Sequence, residues 1–390
     1  MIDLYKILFH NSQSSFTEEQ TIIIYISMFA ISVFLAFIYD KLKFIVKPRE
    51  GVIYNVFRMI NYFVIIYPVA SIIGMRDIRV GFDTRSYIEH YLRMGADNNL
   101  FESLGLTSEP GFSVLHRVAY FIWGDSWYGA TYPMVCLTLI FLLYALDLWD
   151  KKNVVPIGLY IFYMGFGLNL GDQSRQLLAI SITAVGFYYL YQNNIKKFVY
   201  FVVFATFFHY SSIVAFFLIP FSKIDMKKKM VKYVVIIMVI SVGFMMITSP
   251  QLLNVVLPSK YRYILLEMQE AQLGSKWIAD VVPYLILMLL TNYYSNKSPE
   301  KKNANISLEN LVWFALAFRI AGYSSFFIMR LYYIPAIMSI QISLCNLSYF
   351  ESRRKRKLVC VIIMLIFGYY FYLDGILYNT HNMIPYSVGS

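Results

Sequence analysis

The chain has 390 residues, of which 58% are hydrophobic and only 15% charged, and its mean hydropathy is +0.55. Soluble domains carry more charge, so the composition excludes a soluble enzyme. It points to an all-α fold, a polytopic membrane helix bundle forming a single transmembrane domain over residues 1–390. The net charge of +11 does not call for nucleic acid, because lysine clusters in short loops are explained by topology and anionic lipid.

A span needs roughly 20 apolar residues. Residues 1–20 are polar and mixed in charge, so no cleavable signal peptide is expected and Thr21–Tyr39 serves as an uncleaved first span. Further spans are expected near 53–74, 127–149, 154–170, 174–192, 232–249, 281–295, 307–323, 331–349 and 358–376. These ten place both termini on the outer, periplasmic side of a bacterial inner membrane. Phe198–Phe221 breaks the alternation, because lysines flank it on both sides. It is expected to be a re-entrant hairpin with His209 near its turn, a feature tolerated only where it is buried in protein or lines a wet cavity.

The loops differ in their cations. One set, Lys41–Arg49, Lys151–Lys152, Lys196–Lys197, Lys223–Lys232, Lys297–Lys302 and Arg353–Lys357, is mostly lysine, as cytoplasmic loops should be. The other set is mostly arginine, including Arg76, Arg79, Arg85, Arg175, Arg319 and Arg330. A guanidinium binds phosphate with a two-point fork and stays charged when partly buried. That set predicts an anionic ligand at the outer face.

The outer loops are expected near 75–127 and 249–280. The first opens with Arg76-Asp77-Ile78-Arg79-Val80-Gly81-Phe82-Asp83-Thr84-Arg85. Gly81 allows a close turn, and Asp83 is placed either to cap the helix that follows or to act chemically. Glu109, before Pro110, is placed to cap the next helix, to act as a base or to pair with an arginine. Arg175 falls in a helix's first turn, where a cation is out of place on dipole grounds unless an anion binds there; a local pair with Asp172 is the alternative. Arg319 and Arg330 either face a cavity or snorkel to headgroups. His10, His90, His116 and His381 are scattered and show no zinc spacing. No metal site or cofactor is expected, and Cys136, Cys345 and Cys360 are taken as packing residues. The chain has no P-loop, no G-x-S-x-G elbow and no H-E-x-x-H.

Arg79-Val80-Gly81-Phe82-Asp83-Thr84 with Tyr87 resembles the R-x-G-x-D-x-x-x-Y signature of the EpsG family. Glu109-Pro110-Gly111-Phe112, Ser174-Arg175-Gln176-Leu177-Leu178-Ala179, His209-Tyr210-Ser211-Ser212, Arg330-Leu331-Tyr332-Tyr333 and Ile384-Pro385-Tyr386 follow in that family's order. The family is similar to Wzy-type polymerases of surface polysaccharides such as O-antigens. The resemblance implies a glycosyltransferase that moves a growing glycan from undecaprenyl diphosphate to another lipid-linked repeat unit. It also implies membrane lipid and a chain-length regulator as candidate partners. Arg79, Arg175 and Arg330, with Arg85 and Arg319, are the expected diphosphate ligands. Asp83, His209 and Glu109 are the expected bases. A lipid-linked glycan flippase and an O-antigen ligase are the competing functions.

Overall fold

The computed structural model describes residues 16–46, 51–96, 109–151, 153–222, 276–295, 306–321, 332–350 and 352–387. The expected span at 232–249 and most of the second outer loop lie outside them, as do Lys228, Gln269 and Arg330.

All regular structure in the described residues is helical. Four helical stretches are long and apolar enough to cross a membrane: Glu18–Val46 (α1), Val52–Gly74 (α2), Trp127–Asp147 and Arg353–Leu377. The third is a 3₁₀ turn, Trp127–Ala130, leading into Tyr132–Asp147 (α5). α1 turns Ile26, Phe34, Phe37 and Ile45 outward, and α2 does the same with Ile53, Ile60 and Phe63. Large apolar side chains on the outside suit a lipid solvent and would be a liability in water.

Between α2 and α5 lie two amphipathic helices, Thr84–Ala96 (α3) and Pro110–Trp123 (α4), which pack on each other and on the 3₁₀ turn. Val154–Phe166 (α6) is shorter than a full span and is followed by a single turn, Asn169–Asp172 (α7). Ser174–Tyr191 (α8) then begins. Ile195–Thr206 (α9) stops at Phe207–His209 and resumes as a 3₁₀ helix, Tyr210–Phe217, and a short helix, Leu218–Ser222 (α10). The backbone therefore breaks at His209, where a hairpin turn was expected. Lys276–Ser295 (α11), Ile306–Ala321 (α12), Tyr333–Ser348 (α13) and Arg353–Phe371 (α14) complete the set.

These helices pack as two compact units. One contains the described residues up to Tyr188, Phe198–Ile213 and those from Met364 onward. The other contains Tyr189–Lys197 and the described residues from Val214 to Ile363. In the second, α11, α12 and α13 pack on one another. α13 is buried on every side, its polar Ser339, Gln341, Ser343 and Asn346 along with its apolar residues. There Tyr191 donates to Glu309 at 3.3 Å and Asn346 to Asn292 at 2.7 Å.

In the first unit, α1 and α2 pair, and α5 and α6 pack against them. At one end, the Lys43 ammonium lies between Asp40 (3.3 Å) and Asp147 (2.9 Å), and Asp147 also accepts from the hydroxyls of Tyr39 and Tyr62. Lys43 was grouped with the solvated cytoplasmic lysines. Instead α1 runs on to Val46 and buries it completely, because two carboxylates meet it there.

At the other end the C-terminal tail ties the helix ends together. The Tyr386 amide donates to Thr21 and its hydroxyl to the Ile72 carbonyl, and Tyr25 donates to the Met383 carbonyl. Asn379 holds the tail's own turn by accepting from the Met383 and Ile384 amides.

Candidate functional site

The loop after α2 is built on a buried arginine. Arg76 has no exposed surface; it donates to Thr84 Oγ1 at 2.9 Å and to the Ile73 carbonyl at 2.7 Å. Burial lowers its pKa to about 10, while Tyr87, Tyr25 and Asp172 oppose that shift, so it remains a cation at neutral pH. Gly81 has φ +84°, and a Cβ there would sit 2.8 Å from the Gly171 carbonyl. Only glycine permits both the turn and the approach. The Gly81 amide donates to the Asn382 carbonyl and the Asp77 amide to that of Ser387. Loop, α7 and tail thus meet backbone to backbone.

Asp83 and Tyr87 face α7 across this junction. The Asp83 amide donates to Asp172 Oδ1 at 3.3 Å. The Tyr87 hydroxyl donates to the Asp172 carbonyl at 3.0 Å and lies 3.4 Å from Asp83 Oδ2. The other oxygen of Asp172 meets His381 Nδ1 at 3.1 Å, and His381 Nε2 lies 3.6 Å from Asp374. Burial alone would lower the His381 pKa; the two carboxylates outweigh it and raise it to about 9. Asp172 therefore holds the tail rather than Arg175.

Arg175 instead pairs with Glu109, Nη1 to Oε2 at 2.9 Å. Its guanidinium lies over the rings of Phe112 (4.8 Å) and Tyr87 (5.4 Å). Its side chain is 32% exposed, and its Nε is buried without a hydrogen-bond partner. Glu109 occupies the N-cap position of α4 but makes no cap bond with its side chain. Its second oxygen accepts from the Tyr210 amide at 3.4 Å, and the Gly111 amide donates to the Phe207 carbonyl at 2.9 Å. Groups freed by the break at His209 are thereby satisfied from the start of α4. A Cβ on Gly111 would lie 2.9 Å from that of Phe207, so glycine is needed for this latch as well.

The structure thus brings Asp83, Glu109, Arg175 and the His209 turn into one cluster. His209 is half-buried, with Nδ1 accepting from the Ser211 amide at 3.2 Å. Arg79 and Arg85 belong to the same unit but point outward, pairing with Asp77 at 2.6 Å and Glu89 at 2.9 Å. Arg319 lies on α12, in the second unit, with only its backbone described. Among the described residues, no group of acids, histidines and cysteines could hold a metal ion.

Sequence reasoning missed two features. Arg76 looked like one loop arginine among three, and nothing local marks it as buried. His90 and His116 looked scattered, yet their Nδ1 atoms are 3.0 Å apart. Part of that signal is local, since Phe112, Ser113, His116 and Ala119 share the buried stripe of α4.

A family model described as "EpsG family" matches residues 59–388. No curated protein and no solved structure matches the chain.

Proposed function

The chain belongs to the EpsG family, which includes Wzy-type polymerases, and we propose that it polymerises undecaprenyl-diphosphate-linked oligosaccharide repeat units at the periplasmic face of a bacterial inner membrane. Family membership supports a membrane polysaccharide polymerase of the glycosyltransferase kind. The observation that carries the finer reading is Arg175. It is a partly exposed guanidinium in an aromatic slot, held by Glu109.

As the glycosyl–phosphate bond breaks, negative charge grows on the diphosphate, and Arg175 stabilises it without a metal. Arg79 and Arg85, in the same unit, are the further cations proposed for the lipid diphosphate. Asp83, then His209 and Glu109, serve the acceptor end, taking its proton or orienting its sugar. In this orientation the Lys43 end of the bundle is cytoplasmic, and the tail end, with Asp83, is outside. In the first unit Arg79, Arg85 and Arg175 gather at the tail end and not along a central path, which favours chemistry at a face over a flippase.

Deletion of the gene in its own strain tests this. The expected surface glycan is a single repeat unit on its acceptor lipid. Complete loss of attached glycan would instead indicate a ligase or flippase. Cysteine placed at Asp83 should react with an impermeant thiol reagent in intact cells, and cysteine at Lys355 should not.

A further inference from the structure

The groups proposed for the acceptor end are already engaged, Asp83 beside the Tyr87 hydroxyl. Glu109 holds Arg175 and the Tyr210 amide. His209 accepts from the Ser211 amide at Nδ1, so the lone pair of that nitrogen is taken.

Beside them lies a histidine pair with one outcome for its protons. His116 is buried on α4, with Nε2 3.0 Å from the Ala130 carbonyl. A carbonyl only accepts, so His116 Nε2 bears hydrogen and its Nδ1 carries the lone pair. His90 Nδ1, 3.0 Å away, must therefore donate. That leaves the lone pair of His90 on Nε2. The Ser113 hydroxyl is 3.4 Å from that atom, too long for a strong hydrogen bond. His90 is only half-buried. Its ring stacks on Phe112 at 4.6 Å, and the same Phe112 ring carries Arg175 at 4.8 Å.

Resting on the polymerase reading above, we propose that His90 Nε2 is the catalytic base for the acceptor hydroxyl, and that His116, fixed by the Ala130 carbonyl, is its positioning residue. The acceptor oxygen attacks the anomeric carbon. The bond from that carbon to the diphosphate oxygen breaks, and its electron pair leaves with the lipid diphosphate. The hydroxyl proton passes to His90 Nε2, and the imidazolium then loses it to water. Asp83 orients the acceptor sugar.

The protonation states agree with this role. The groups facing His90 are Arg93 on its own helix, His116 and Ser113 on α4, and Arg175 on α8. Burial, then the charges of Arg175 and Arg93, lower the His90 pKa to about 4. Burial and the neighbouring ring push His116 well down. Both rings are neutral at pH 7. A bound diphosphate offsets the field of Arg175 and draws His90 back toward neutrality, where a base is most effective.

The full-length protein is assayed in membranes of a deletion strain that has accumulated its own lipid-linked repeat units, with glycan chain growth as the readout. His90→Asn retains a donor toward His116 but has no atom at Nε2. It should reach normal membrane levels and lose about 10²–10⁴-fold in rate, the usual worth of a general base. Chain growth within threefold of the parent would overturn the proposal. His90→Ala should recover activity when imidazole is added; an abundant, inserted His90→Ala protein that imidazole does not restore would overturn it equally. Arg175→Lys separates the two levels of inference. Chain growth lost in Arg175→Lys but kept in His90→Asn removes His90 alone, whereas chain growth kept in the deletion strain itself removes the polymerase reading.

Discussion

The two ends of the first helical unit both gather opposite charges, and they do so differently. At the Lys43 end every charge faces another. The ammonium is 1% exposed between two carboxylates, and two phenols complete the shell of Asp147. At the Arg175 end the ion pair sits in an aromatic slot and a third of the guanidinium side chain is exposed. A closed cluster has no capacity for a ligand. Its role is to hold α1, α5 and the start of α6 together, and the Asn153 amide donating to Asp40 shows the last of these. The open cluster leaves its cation partly exposed, as the proposed diphosphate contact requires. Charge alone separates neither case; what separates them is how completely each charge has been answered.

The comparison breaks most visibly at Lys43. Lys43→Ala strands two buried carboxylates, which typically costs about 3–5 kcal/mol. The expected outcome is loss of the protein from the membrane or a large fall in detergent melting temperature. Arg175→Lys should do the reverse. Membrane levels stay normal while chain growth falls by about 10²-fold, since lysine keeps the charge but not the fork; a full-length glycan ladder on a gel would make Arg175 a generic cation. Asp83→Asn should give a smaller loss of about tenfold, the worth of roughly one hydrogen bond to a charged group, seen as shortened ladders at normal protein level.

The last test sharpens the comparison through pH. His381 has a folded pKa of about 9, above the ordinary value of about 6.5. Its contribution is therefore complete below about pH 6.5 and is lost as pH rises through 9. Melting temperature measured from pH 6.5 to 10 should fall over that window, and His381→Gln should flatten the fall. The Lys43 end should not respond in this range.

The four stretches long and apolar enough to cross a membrane were legible because an apolar run is a local property. The break at His209 was legible because lysines flank the segment on both sides. Glu109 and Arg175 were legible as candidates by residue type, but not as partners, since 66 residues separate them. Lys43 was misjudged because Asp40 is local to its helix but Asp147, 104 residues away, is brought to it only by packing. The histidine pair required knowing that α3 lies on α4, which neither helix states alone. Arg330 lies outside the described residues.

The tail has one further consequence. His381 reaches back 209 residues to Asp172, and Tyr386 reaches 365 residues to Thr21. Each partner is made long before the residue that meets it. The loop bearing Asp83 therefore stays unfastened until residues 381–386 have been made, and its closure is a long-range one. A chain cut short before His381 would lack these contacts and leave that loop untied.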